Sequence, residues 1–186
     1  QQPAGREGRV ALELNILVGT QTGVAQLVAQ EIELRLDGED MRIRTQLMDD
    51  VDATVFGKSG VFLICTSTYG QGDVPDGAKP FYDELLNQRP DLSSVRYGLI
   101  GLGDNSTHAS TFCFAARKFD AILQELGEVR HGETLLNVSS NELSEEDAAQ
   151  WLEGLIRLVL TPVCATVSAR SFFSLHTFNG PTWPCL

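Results

Sequence analysis

The spacing of apolar residues changes period several times along the chain. Leu14-Asn15-Ile16-Leu17-Val18 is a short apolar run that stops at Gly19, the pattern of a buried strand. From Val24 the period widens. Val24, Leu27, Val28 and Ile32 fall on one face of a helix that Gly38 ends. Met41, Ile43 and Leu47 then alternate with Arg42, Arg44 and Gln46, which predicts a strand with one wet face at a sheet edge. Val61-Phe62-Leu63-Ile64-Cys65 and Tyr97-Gly98-Leu99-Ile100-Gly101-Leu102 are apolar throughout. They read as central parallel strands covered on both faces.

Further helices are predicted at Phe81–Leu86 and through Ala115, Phe119, Ile122 and Leu126. Leu135, Leu136 and Val138 suggest a last strand. Ser144-Glu145-Glu146-Asp147 has capping-box spacing, and Leu152, Leu155, Ile156 and Val159 form a final apolar stripe that Pro162 stops. Strand and helix in strict alternation argue for an open parallel α/β sheet of five strands. In such sheets ligands bind beyond the carboxyl ends of the strands. The loops there are 19–24, 66–77 and 103–112, so function is expected in them.

Composition sets the limits. The chain has 186 residues, 42% of them hydrophobic, enough for one globular domain. Residues 1–10 are polar and read as a linker, residues 11–160 as the domain. Residues 161–186, with Arg170 their one formal charge, read as a C-terminal extension of unassigned role. No stretch approaches the roughly 20 apolar residues that a membrane helix needs. The formal charge of −11 argues against a phosphate backbone or anionic membrane as partner and favours a basic protein, or solubility alone. Cys65, Cys113, Cys164 and Cys185 fit no metal or redox spacing. Reduced thiols in a cytoplasmic protein are expected, with Cys65 and Cys113 serving as small core residues.

The first loop, Gly19-Thr20-Gln21-Thr22-Gly23, joins a buried strand to a helix. A helix start offers unpaired N–H groups and a positive dipole end, a natural phosphate site. Hydroxyls of Thr20 and Thr22 add donors, and Gly23 lets the backbone come close. No Lys or Arg lies between Val10 and Arg35, so a phosphate here is held by neutral donors. An ordinary helix cap is the competing reading. A Walker loop is absent, and Gly101-Leu102-Gly103 falls short of a dinucleotide fingerprint. The second loop sets Tyr69 among hydroxyl residues and glycines, where its ring can lie against a flat ligand.

Thr20-Gln21-Thr22-Gly23-Val24-Ala25 resembles the flavodoxin phosphate loop, T-x-T-G-x-[TA]. Thr66 to Asp76 resembles the second flavin loop of the short flavodoxins and of the FMN domains of diflavin reductases, and Phe81 to Leu85 continues the match. Tyr97 to Asp104 and Thr111-Phe112-Cys113 are similar to the third loop and its flanks. The resemblance covers roughly residues 12–160. Within the family it points to the MioC-like short-chain flavodoxins, through Arg89-Pro90-Asp91-Leu92-Ser93 and Gly132-Glu133-Thr134-Leu135. The family's third loop reads G-D-S-S-Y-x-x-F-C. Here Gly103 to Cys113 is longer and has no Tyr. His108 is a candidate for the missing ring, with an exposed loop histidine as the alternative.

The resemblance implies a three-layer sandwich with strand order 2-1-3-4-5 and helices on both faces. It implies FMN, with the phosphate at Thr20, Gln21, Thr22, Gly23, Val24 and Ala25. The ring would meet Thr66, Ser67, Thr68, Tyr69, Gly70, Gly72 and Asp73 on the second loop. From the third it would meet Leu102, Gly103, Asp104, Asn105, His108, Phe112 and Cys113. No catalytic residue and no metal are expected. Asp73, Asp76 and Asp104 would disfavour adding negative charge to the flavin. The implied activity is single-electron transfer between redox proteins, by a monomer that draws basic partners: a reductase as donor, an enzyme as acceptor. Other readings are an FMN-dependent quinone reductase, the FMN domain of a larger diflavin reductase, and an interaction module that has lost its cofactor.

Overall fold

The computed structural model describes residues 12–38, 41–58, 60–70, 72–103, 113–127, 129–130 and 135–137. The expected linker at 1–10, the loop residues 104–112, Val138, the helix through 152–159 and the extension at 161–186 lie outside these.

Six strands form one parallel sheet: β1 (Leu12–Gly19), β2 (Met41–Leu47), β3 (Val61–Ser67), β4 (Arg96–Leu102), β5 (Val129–Arg130) and β6 (Leu135–Asn137). The order is β2-β1-β3-β4-β5, with β6 also on β4. The expected order 2-1-3-4-5 is therefore the observed one, and the fifth position is shared by two short segments. Val129 and Arg130 pair with Arg96 and Tyr97, while Leu135 to Asn137 pair with Ile100 to Leu102. A two-residue strand is too short to leave an alternation in the sequence.

Helix α1 (Val24–Leu36) packs on one face of the sheet, and α2 (Lys79–Gln88) and α3 (Phe114–Glu125) on the other. The α1 face buries Leu14, Ile16 and Val18 of β1 with Leu63 and Cys65 of β3. The opposite face buries Leu17, Phe62, Ile64, Tyr97 and Leu99 against Phe81, Leu85 and Phe119. Central strands lose both faces to helices, which is why their sequences carry no polar alternation. At the edge, Met41 and Ile43 are buried while Arg42 and Arg44 are exposed, as the alternation in β2 predicts.

Helix α1 departs from the predicted stripe. Its buried face is Ala25, Ala29 and Ile32, flanked by Val24, Val28 and Leu36. Leu27 is 64% exposed. Two alanines a turn apart let the helix axis approach the sheet closely, and that rotates Leu27 outward. The stripe predicted for α3 is buried as expected, at Ala115, Phe119, Ile122 and Leu126.

Candidate cofactor-binding site

Register aligns the strand ends. Gly19 of β1 lies opposite Thr66 of β3, and Thr66 opposite Gly101 of β4. The chain therefore leaves all three strands at one edge of the sheet. Close packing marks that edge. A Cβ on Gly19 would lie 2.8 Å from Thr66 Oγ1 and 3.0 Å from Ala78 Cβ.

The first loop is closed by its own side chain. The Gly23 N–H donates to Thr20 Oγ1 at 2.9 Å. Gly23 has φ +86°, a left-handed conformation that glycine adopts without strain. Nothing lies within 4 Å of a Cβ built there, so the glycine answers to backbone geometry and not to crowding. Helical bonding begins with Leu27 N–H to Gly23 carbonyl, at 3.0 Å. No side chain caps α1. The amides of its first turn, at Val24, Ala25 and Gln26, therefore precede the first intrahelical bond and carry the positive end of the dipole. Thr20 accepts through its oxygen and keeps its O–H to donate. Thr22 is exposed at the same place. An uncapped helix start with neutral hydroxyls beside it fits a phosphate. The alternative of an ordinary side-chain cap is not what α1 has.

The second loop is a tight hairpin. Tyr69 N–H donates to the Asp73 carbonyl at 3.0 Å, and Asp73 N–H donates back to the Tyr69 carbonyl at 2.8 Å. Gly70 at φ +55° and Gly72 at φ +103° make the turn. The Tyr69 side chain is 50% exposed, and a large ring at half exposure on a hydrogen-bonded turn fits a flat ligand. The two loops are tied together, since the Asp76 N–H donates to Gln21 Oε1 at 3.0 Å. Lys79 bonds the Asp76 carboxylate at 2.6 Å. That hydrogen bond, more than the charge attraction, holds Asp76 below the ordinary 3.8 and Lys79 above the ordinary 10.5.

Other expected site residues form the floor of the edge. Thr66 has no exposed surface, and its hydroxyl donates to the Ser67 carbonyl at 3.2 Å. The Ser67 hydroxyl reaches the Gly19 carbonyl at 3.5 Å. Thr68 Oγ1 accepts the Ala115 N–H at 3.3 Å, which ties the second loop to the start of α3. Ala25, Leu102 and Cys113 are buried. The Cys113 thiol donates to the Gly101 carbonyl at 3.3 Å and the Cys65 thiol to the Ala25 carbonyl at 3.5 Å. Burial pushes the Cys65 thiol up to about 12. Both are buried core thiols in no disulfide, as the sequence predicts. Gly103 sits at the end of β4, and Asp104, Asn105, His108 and Phe112 lie outside the described residues.

Three residues at this edge escaped the sequence reading. Lys118 Nζ lies 3.7 Å from Asp73 Oδ1 and 5.3 Å from the Phe114 ring centroid. Phe114 is 40% exposed. Lys79 holds Asp76. Lys79 alone had a signal, its three-residue spacing from an acid at a helix start. Among the described residues no cluster of His, Cys, Asp and Glu is arranged to hold a metal ion. None of their helices is long and apolar enough to cross a membrane.

The chain is similar to several known proteins. The family model described as Flavodoxin matches residues 16–151. Protein MioC of Escherichia coli K12 is 36% identical over 151 residues, covering 79% of this chain and 98% of that one. The sulfite reductase [NADPH] flavoprotein alpha-component of Bacillus subtilis is 34% identical over 149 residues, which is 80% of this chain and 24% of the reductase. A single-residue mutant of the flavodoxin from Pseudomonas aeruginosa superposes with a TM-score of 0.68 at 28% identity, covering 80% of this chain and 99% of that one.

Proposed function

The chain belongs to the flavodoxin family, whose members bind FMN and transfer electrons, and on that premise we propose that the phosphate of its FMN would be held at Thr20–Ala25 with the ring against Tyr69. The bound flavin supplies one-electron redox chemistry, which no side chain of the site can supply itself. The protein's part is to bind and orient it. The uncapped start of α1, with Gly23 left-handed and Thr20 folded back, carries this reading. The amides of Val24 to Gln26 hold the phosphate. Thr20 and Thr22 donate hydroxyls. The hairpin holds the Tyr69 ring in place, and the buried Thr66, Leu102 and Cys113 keep water from the floor.

The partners we infer are basic redox proteins, a reductase and an acceptor enzyme, drawn by the net charge of −11. We infer a cytoplasmic monomer with its flavin domain at residues 11–160. Cys65 and Cys113, both buried and in no disulfide, support a reducing compartment. The match to 24% of a sulfite reductase component supports a second reading, a flavin domain of a larger reductase.

The test is direct. Purified protein should be yellow and release FMN on denaturation. Colourless protein that takes up no added FMN would sink the reading. Reduction by a separate reductase, with no NADPH consumed by the chain alone, separates a carrier from a quinone reductase.

A further inference from the structure

The acids of the second loop are not bare charges. Lys79 Nζ bonds the Asp76 carboxylate at 2.6 Å, and Lys118 Nζ stands 3.7 Å from that of Asp73. The two pairs differ in kind. Lys79 and Asp76 are neighbours on one turn, with side chains 51% and 63% exposed. Such a pair is solvated and local. Lys118 comes from α3, on the far side of the third loop, and is 32% exposed. Its ammonium lies between the Asp73 carboxylate and the face of Phe114, so part of its hydration is replaced by a carboxylate and a ring.

Asp73 is also one end of the hairpin that carries Tyr69. The reciprocal backbone bonds of 3.0 and 2.8 Å make the placement of one residue the placement of the other. A second tie runs between the same elements, from the Ala115 N–H to Thr68 Oγ1. Helix α3 therefore grips the second loop on both sides of Tyr69.

We propose that Lys118 is a positioning residue for the flavin, which fixes the Tyr69–Asp73 hairpin against α3 and offsets the Asp73 charge. This rests on the flavin site proposed above. Lys118 raises the flavin's potential relative to a chain whose Asp73 stands alone, because it offsets a negative charge that opposes the arrival of another. The count of acids around the site therefore overstates how far they lower the potential.

The experiment uses the full chain, loaded with FMN, and the variants Lys118→Gln, Lys118→Arg and Asp73→Asn. Lys118→Gln should shift the one-electron reduction equilibrium against reduction by about threefold, or about 28 mV at 59 mV per tenfold. Lys118→Arg should recover most of the shift, and Asp73→Asn should shift the equilibrium the other way, toward reduction. In FMN-free protein, Lys118→Gln should speed hydrogen exchange at the Tyr69 and Asp73 amides by about threefold. An unmoved potential, unmoved exchange, or an equal rise in exchange when Lys118→Gln is made in the Asp73→Asn background overturns the inference. If the parent protein binds FMN in those cases, the flavin site itself stands. A parent that takes up no FMN overturns both.

Discussion

The Thr20–Gly23 turn and the Tyr69–Asp73 hairpin open on the same sheet edge, yet they are held by different forces. The first is fixed by backbone: a left-handed glycine, a hydroxyl folded onto its own turn, and a helix whose first amides are uncapped. No charged side chain takes part. The second is closed by its own backbone bonds but anchored from outside, by an ion pair and a hydroxyl that reach across to α3. On the proposed flavin placement, the first turn would give the phosphate a fixed point of affinity. The second would let side chains adjust what the ring feels.

The largest test of that contrast is Gly23→Val. The new Cβ meets nothing, so its cost is the φ of +86° alone, about 1–2 kcal/mol or more for a branched residue. Relaxing that strain turns the α1 amides off the phosphate. FMN binding should weaken about 100-fold, about 2.7 kcal/mol, in a fluorescence titration, with the circular dichroism of the fold unchanged. Tyr69→Ala comes next. Stacking of about 0.5–1.5 kcal/mol is lost together with the buried ring area, and affinity should fall about tenfold to 30-fold. Should the order reverse, with Tyr69→Ala costing more than Gly23→Val, the ring end would be the anchor. Gln21→Leu removes the one bond from Gln21 to Asp76, worth about 1 kcal/mol. A loss of about fivefold is expected, since the loops then drift apart without either being unmade.

The smallest effect is that of pH on the Asp76–Lys79 pair. Asp76 is depressed, so what it contributes is present above the ordinary 3.8 and is lost as pH falls through its folded value. Lys79 is raised, so its contribution is present below the ordinary 10.5 and is lost as pH rises through its folded value. Between those limits nothing changes. The difference in urea midpoint between parent and Lys79→Gln should be flat from about pH 5 to about pH 9 and should narrow below about pH 4. A difference that varied near pH 7 would mean another group titrates at the loop edge.

The same contrast decides what the sequence could tell. The Thr20–Gly23 turn was legible because its causes are local. A strand stop, hydroxyls, a glycine and a helix period follow one another between Leu14 and Ile32. The central places of β3 and β4 and the edge place of β2 were legible through two-faced apolar runs and a single wet face, while the strand order came with the flavodoxin resemblance. Leu27 was misplaced because tertiary packing, led by Ala25 and Ala29, chose the face of α1. The Lys118–Asp73 pair joins two elements that no periodicity connects. Thr68 was expected at the ring and also serves as the acceptor at the start of α3, a role that only the fold can assign. β5, two residues long, offered too few positions to form a pattern.

The phosphate end should carry most of the affinity. Titrating the FMN-free chain with FMN and with riboflavin tests it most directly, because the two ligands share the ring and differ by the phosphate. A charge-assisted bond is worth about 1.5–3 kcal/mol and a helix terminus up to about 2 kcal/mol. FMN should therefore bind about 100-fold tighter than riboflavin or better. Equal affinity for the two would contradict the account.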